Sequence, residues 1–432
     1  MAKQYRYTYA IDMKFIFPDK SKFSVPVINK LTKHFNFAMN FFPIYECDCV
    51  VPLKEMTKIR SNQNVLYVIL EITKRKFRSE ENIEPESTEI ILNHAFVPFF
   101  TPECFNPYVS SEVENVKAGS TDNPASSMGS RLKFALYSVN GLAANKKLLN
   151  YVADEADVGT MIKFLIDKTD IERCIIDKPD NTDTYKNLVV TPHNINMALK
   201  ELQTRYGVYA NGLSAFYDPP TLYVMNKFSL KHDYEKDKPN KLIFNCHTTN
   251  PGLQIGITPV LENDDKSLDY KVTCAPKALN QDVANSEILG NEVIFSNITL
   301  TTNMMEFEEG KISSFSFPTS TIKSDSISHE KTGNKSLVDY DETNNPYNIS
   351  ALLKSANLGT LIVINRIIGV DLETFKPNTT ITLNVVDDNV RNNEFAGVYS
   401  IVSGSITYAK NRPDIEDMIC AVEGLVLSRM DS

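Results

Sequence analysis

The sequence predicts a β-rich α+β protein in which one short helical module interrupts two long stretches of strands and turns. Three observations predict it. Tyr and Phe number 19 and 23 among 432 residues while Trp is absent, and these aromatics sit largely in alternating runs that suit strands. Between Asp157 and Lys227 the spacing changes to that of two helices followed by a tyrosine-rich hairpin. After Ser350 the chain is strongly β again: Gly359 to Val370, Thr379 to Val386, Glu394 to Lys410 and Met418 to Ser428 read as long antiparallel strands. They suggest a small barrel or a curled sheet.

In the module, Asp157 caps a first helix that carries Val158, Met161, Ile162, Leu165 and Ile166 inward and ends between Asp167 and Thr169. The second helix is expected to start from Thr191 as N-cap with Pro192 at the first helical position, and to end at Gly207. Its stripe of Ile195, Ala198, Leu199, Leu202 and Tyr206 leaves Lys200, Glu201 and Arg205 outside. Val208 to Tyr217 then reads as a strand, Asp218-Pro219-Pro220 as its turn and Leu222 to Lys227 as the returning strand. The expected unit is α-α-β-β.

Before the module, residues 3 to 17 alternate as a strand or strand pair until Pro18-Asp19 breaks the run. Further strands are expected at 36 to 51, 64 to 77, 90 to 100 and 131 to 139, with room for one short helical turn between Pro52 and Asn64. Lys74, Arg75, Lys76 and Arg78 precede Glu80, Glu81, Glu84, Glu86 and Glu89; the run reads as a solvated loop, with a charge-matched contact to a partner as the second reading. Residues 101 to 128 are expected to form a long surface loop. Strands return at Leu242 to His247, Leu253 to Val260, Tyr270 to Cys274 and Val293 to Thr301. Ser313 to Asn348, rich in Ser, Asn, Thr and Asp, is the weakest fold-former.

Composition limits the function. A formal charge of −9 and a pI near 5.4 argue against a surface that wraps nucleic-acid phosphates. The sequence offers no apolar run of about 18 residues and no secretory leader in its first 20 positions, so the expected site of synthesis and assembly is the cytoplasm. Seven cysteines, an odd number scattered over the chain, read as reduced thiols.

No motif for catalysis emerges. Gly310-Lys311-Ile312-Ser313 lacks the upstream glycine of a phosphate loop, and Gly212-Leu213-Ser214-Ala215-Phe216 lacks the second glycine of a nucleophile elbow. Cys47-Asp48-Cys49 puts two thiols on one face of a strand, which suits a core. The six histidines at 34, 94, 193, 232, 247 and 329 never fall three or four positions apart; His193 is expected in a first helical turn, pointing to solvent. Asp387-Asp388 reads as a turn pair. We therefore expect no enzyme activity, with no catalytic residue, no cofactor and no metal.

Val158 to Ile166, Thr191 to Leu199 with Tyr206 to Tyr209, and Phe216-Tyr217-Asp218 with Leu222 to Lys227 together resemble the central module of baseplate hub proteins of contractile phage tails, the T-even hub and late-control families. The likeness in order covers residues 142 to 275, and 359 to 429 resembles the second barrel of such hubs. It implies two tube-type antiparallel β-barrel domains with a central α+β module: a first barrel at 1–145 completed by strands after 228, the module at 146–310, an irregular segment at 311–349, and a second barrel at 350–432. It implies a homotrimer that adapts the six-fold tail tube to a trimeric spike and lines a channel for DNA. The implied partners are the tail spike protein, the tail tube protein, baseplate wedge proteins and passing genomic DNA that is not specifically bound, without membrane insertion. The implied place is the virion's tail baseplate. The segments 79–89, 101–128 and 313–348 depart from the family pattern. Two other readings remain from the residues: a cell-wall or polysaccharide hydrolase, which needs two carboxylates about 5 to 9.5 Å apart in a cleft, and a carbohydrate-binding β-protein, which needs an exposed groove lined by Tyr and Phe.

Overall fold

The structure, a computed structural model, describes residues 3–37, 41–78, 84–101, 104, 129–227, 241–247, 260–265, 267–272, 276–278, 294–301, 304–314, 316–317, 320–321, 347, 361–377, 379–387, 390–391, 395–410 and 417–430. The first strands are β1 (Lys3–Ile16), β2 (Lys22–Ser24), β3 (Val27–Asn36) and β4 (Ile44–Pro52), followed by helix α1 (Leu53–Asn62), β5 (Tyr67–Phe77), β6 (Ser87–Phe99) and β7 (Gly129–Ser138). Period-two patterning makes these strands: Tyr5, Tyr7, Tyr9, Met13 and Phe15 of β1 are buried, and β5 answers with Val68, Leu70 and Ile72. Two elements were not legible here. β3 lies before the expected strand at 36, and the single turn after Pro52 is a ten-residue helix that buries Ile59.

The module contains α2 (Val139–Lys146), β8 (Leu149–Asp157), α3 (Val158–Asp167), β9 (Arg173–Ile176), β10 (Thr184–His193), α4 (Ile195–Arg205), β11 (Leu213–Asp218) and β12 (Thr221–Asn226). β8 pairs with β10, and β9 lies parallel to β12 beside β11. The expected α-α-β-β unit therefore carries three more strands and a leading helix. Asp157 caps α3 as read, its Oδ1 accepting from Thr160 N at 2.8 Å. The start of α4 is a correction. Asn194 is the N-cap, its side chain accepting from Met197 N at 3.0 Å, while Thr191 and Pro192 belong to β10. Asn outranks Thr as a cap, and the register of β10 shifts between Val190 and His193, an irregularity that tolerates the proline without an N–H.

Gly207 ends α4 as read, at φ 76°, with its N–H donating to the carbonyls of Leu202 and Gln203. The strand expected from Val208 begins only at Leu213. Buried Gln203 takes the intervening backbone: its Oε1 accepts from Val208 N and Tyr209 N, and its Nε2 donates to Tyr209 O at 3.0 Å. The module core comprises Val158, Ile162, Leu165, Leu188, Val190, Leu199, Leu202 and Tyr217, so the stripes read on both helices face inward.

Beyond the module come β13 (Lys241–His247), β14 (Val260–Glu262), β15 (Leu268–Val272), β16 (Lys277–Ala278), β17 (Ile294–Thr301), β18 (Met304–Ser314), β19 (Ser316–Phe317), β20 (Ser320–Thr321), β21 (Leu361–Ile368), β22 (Thr380–Asp387), β23 (Val390–Arg391), β24 (Gly397–Lys410) and β25 (Met418–Arg429). A one-turn 3-10 helix at Leu372–Thr374 joins β21 to β22. Most of Leu253 to Val260, of 79–83, of 101–128 and of 322–349, together with His232, His329 and Asp388, lie outside the described residues.

Among the described residues sixteen strands form one sheet, and it closes. The circuit runs β24, β3, β4, β7, β6, β5, β1, β14, β15, β13, β22 and back to β24, an eleven-strand barrel built from both ends of the chain. β24 is a fork on one edge: Gly397 to Ser400 pair with β22, whereas Ser403 to Ala409 pair with β3. Its other edge pairs with β25 along the whole length, with register shifts around Ser403 where the partners change. β25 then reaches β1, with Met418 opposite Tyr9.

Candidate assembly site

Among the described residues, side chains fill the interior of the barrel. Tyr7, Tyr9, Phe15, Phe96, Phe244 and Tyr399 are fully buried in its interior, and one continuous apolar cluster runs from Tyr5 on β1 to Leu427 on β25. Packed side chains fill it like any core.

What ties the two ends of the chain together is a set of charges and phenols at the seam. Lys74 of β5 points inward, and its Nζ lies 3.3 Å from Asp371 Oδ1 and in contact with Glu373, with Glu89 at 3.8 Å. Burial works against the Lys74 charge, yet Asp371 and Glu373 prevail and hold its pKa above the ordinary value. Burial also pushes the Asp371 carboxyl up, with Lys74 opposing it. Around them Tyr9 Oη donates to Val370 O at 2.8 Å and accepts from Leu372 N, and Tyr270 Oη accepts from Asp371 N at 3.1 Å. Next to this, Asp417 before β25 accepts from Thr8 Oγ1 and from Arg75 Nη1, both at 2.7 Å. Lys76 reaches Glu262 of β14 at 3.0 Å. Three of the four cations of the basic run are therefore engaged within the chain: Lys74, Arg75 and Lys76 each meet a carboxylate far away in sequence.

The module docks on the same barrel. Lys33 of β3 grips Asp218 at 2.7 and 2.6 Å, Ser214 Oγ donates to Phe37 O at 2.9 Å, and Tyr217 N donates to Phe41 O at 2.6 Å. Phe37 and Phe216 meet edge to face at 4.7 Å. Lys376, just past the 3-10 turn, donates to Tyr223 Oη at 2.9 Å. A cavity of about 150 Å³ remains where barrel, module and turn meet. Among the described residues, β8 pairs only with β10, and Leu148 and Val152 beside that edge are 71% and 67% exposed. The outer edge of β10 is covered instead, since Val189 N donates to Tyr206 Oη and Thr191 N to Glu201.

The residues screened for chemistry sit as follows. Cys47 and Cys49 face the core from β4; the Cys47 thiol is pushed up by its contact with Cys49 and by burial. Ser214 is buried in β11, and Gly310 to Ser313 lie in strand β18. His193 ends β10 instead of opening a helix, with Nε2 4.0 Å from Glu201, because the helix starts two residues later. Ser138 Oγ lies 2.8 Å from His94 Nε2, a pair the sequence did not suggest, but Ser138 is 2% exposed and caps α2 by accepting from Gly141 N. Among the described residues no three His, Cys, Asp or Glu side chains converge as a metal site.

The model of the family described as Bacteriophage PBS1 gene 109 protein matches residues 3–412. The chain belongs to that phage protein family. A search of curated proteins finds no match. Similar solved structures include the tail protein from Neisseria meningitidis MC58, at 11% identity and TM-score 0.44, covering 98% of this chain and 96% of that one. Another is the 43 kDa tail protein of prophage MuSo2 from Shewanella oneidensis, at 8% identity and TM-score 0.45, covering 98% and 97%. A third is the E. coli c3393 protein, described as a type VI secretion component with structural similarity to T4 tail proteins gp27 and gp5; identity is 7%, TM-score 0.39, and coverage 94% and 75%. Membership of a phage family agrees with the resemblance to phage hubs read from the module.

In this family member the seam was the part that sequence reading missed. Its one visible signal was the basic run from Lys74 to Lys76 on a strand whose alternate residues are apolar. An inward-pointing lysine in such a strand demands a buried acid partner.

Proposed function

We propose that this chain is the hub subunit of a contractile tail baseplate, three copies of which form a ring between the six-fold tail tube and a trimeric spike. The observation that supports this reading is the fork of β24. With the contact of β25 on β1, it divides the closed sheet into an eight-strand circuit (β1, β5, β6, β7, β4, β3, β24, β25) and a second, smaller circuit through β14, β15, β13 and β22. Two barrel-like circuits per subunit, sharing β1, β24 and β25, would give three subunits six such circuits around an axis. Each bore is filled, so the channel for DNA runs between subunits. The formal charge of −9 suits passage of DNA without retention, because like charges release no counterions. The spike, tube and wedge proteins are the proposed partners.

Native mass measured by light scattering at tens of micromolar, alone and with the spike protein, tests this. Three subunits, or assembly into three on addition of the spike, is the expected result. A mass that stays at one subunit under both conditions overturns the ring.

A further inference from the structure

A groove of about 520 Å³ opens beside the outer face of β3, β4 and β7, bordered by Phe99 to Thr101 and Cys104 where the pairing of β6 with β7 stops. Its size is that of a ligand site of about 300–1,000 Å³. Strand register builds its floor. One row across β3, β4 and β7 is Lys30, Asp48, Lys133, and the next is Thr32, Glu46, Ala135. The wall is aromatic: Phe99, opposite Ala135 and 59% exposed, meets Tyr137 edge to face at 5.2 Å. Asp48 is held in place by Arg131, whose Nε and Nη2 donate at 2.8 and 2.6 Å, so the floor is preorganised.

The chemistry of this surface selects among ligands. An added peptide strand needs a free strand edge; β3 and β4, which carry most of the floor, are paired on both sides, and β7, which pairs with β6 only from Ala135 to Ser138, has its Lys133 carbonyl taken by the Cys104 thiol at 2.6 Å. A nucleic acid or other polyanion needs an uninterrupted cationic track, whereas here Glu46 and Asp48 interleave with Lys30, Lys133 and Arg131, and Arg131 is already spent on Asp48. An apolar helix needs an apolar floor. A neutral sugar fits every part. Its hydroxyls each donate once and accept twice, so they satisfy carboxylates and ammoniums side by side, while a pyranose C–H face packs on an exposed ring such as Phe99. We propose that this groove binds a neutral oligosaccharide chain, an activity separate from ring assembly.

The test uses the full chain in whatever assembly it adopts, titrated with a β-1,4-linked N-acetylglucosamine tetramer and with maltotetraose, read by saturation-transfer NMR and calorimetry. Phe99→Ala and Glu46→Gln alter exposed side chains, so folding should persist, as melting and native mass on the same samples will check. We expect at least one glycan to bind, each variant to weaken it about tenfold or more, and Met197→Ala, on the exposed face of α4, to change nothing. Absence of binding by both glycans at millimolar concentration overturns the proposal, as does binding that survives both groove variants. Neither result bears on the ring, which the native mass reports separately.

Discussion

Lys74 and Asp371 stand 297 positions apart in the chain and 3.3 Å apart in space. The pair joins β5, from the first quarter of the sequence, to the 3-10 turn that leads into β22. Lys74 has only 9% of its side chain exposed, and Glu373 shares it. Replacing one partner of such a cluster strands the others without solvent, at a cost of about 3–5 kcal/mol.

Lys74→Ala is therefore expected to lower stability by that amount in urea unfolding, and Lys74→Met combined with Asp371→Asn and Glu373→Gln to recover a good part of it. Lys14→Ala, on the outer face of β1, is expected to leave the urea midpoint close to that of the parent. Equal effects of Lys74→Ala and Lys14→Ala would mean that the seam does not hold the barrel together.

Docking of the module offers a second test. Lys33 and Asp218 have 12% and 22% of their side chains exposed, and both carboxylate oxygens are used. Asp218→Ala leaves the ammonium beside Tyr45 without its anion, with a loss of about 1–3 kcal/mol. Thermal melts and limited proteolysis should show the module loosening from the barrel, whereas Lys186→Ala, on the exposed side of β10, should melt as the parent does.

Within the module, Leu202 is fully buried and Lys200 exposed on the same helix. Leu202→Ala is expected to cost about 2–5 kcal/mol and Lys200→Ala no more than about 0.5 kcal/mol. Gly207→Val should also destabilise, since φ of 76° is a left-handed position that penalises a β-branched side chain. Asn194→Ala should lose about 1 kcal/mol of capping. A loss of that size from Thr191→Val, with none from Asn194→Ala, would restore the earlier helix start.

Local grammar made much of this fold readable, and long-range pairing the rest. The Asp157 cap, both helix stripes, the Gly207 stop and the alternation of β1 and β5 each depend on residues within a few positions of one another. The α4 start was misplaced because Thr191-Pro192 and Asn194 both satisfy the local rule, and only pairing of Val190 and His193 in β10 decides between them. Gln203 could not be recognised as the holder of the turn at Val208 to Gly212, since an isolated polar residue on a helix reads as solvated. The seam and the groove floor were illegible for a stronger reason. Lys74 with Asp371, and Lys30 with Asp48 and Lys133, meet through strand register, and period-two patterning states which face a residue takes but not which strand lies beside it.

The last prediction concerns pH and the cap of α3. Asp157 accepts from Thr160 N at 2.8 Å through Oδ1 and from Thr160 Oγ1 at 2.7 Å through Oδ2. The backbone bond from Thr160, followed by its hydroxyl, holds the carboxyl below the ordinary Asp value. A depressed folded pKa means that the unfolded chain binds a proton first as pH falls. The contribution is therefore complete above the unfolded value of about 3.9 and disappears as pH drops through the folded one. At neutral pH Asp157→Ala should cost about 1 kcal/mol, and the gap between parent and variant should narrow on acidification to about pH 2. Asp157→Asn keeps an acceptor for Thr160 N without a charge, so its smaller deficit should also shrink on acidification as the parent loses its advantage. Urea titrations of the three proteins at neutral and acid pH decide the matter. A deficit of Asp157→Ala that is as large at about pH 2 as at neutrality would show that the ionised carboxylate is not what anchors the helix.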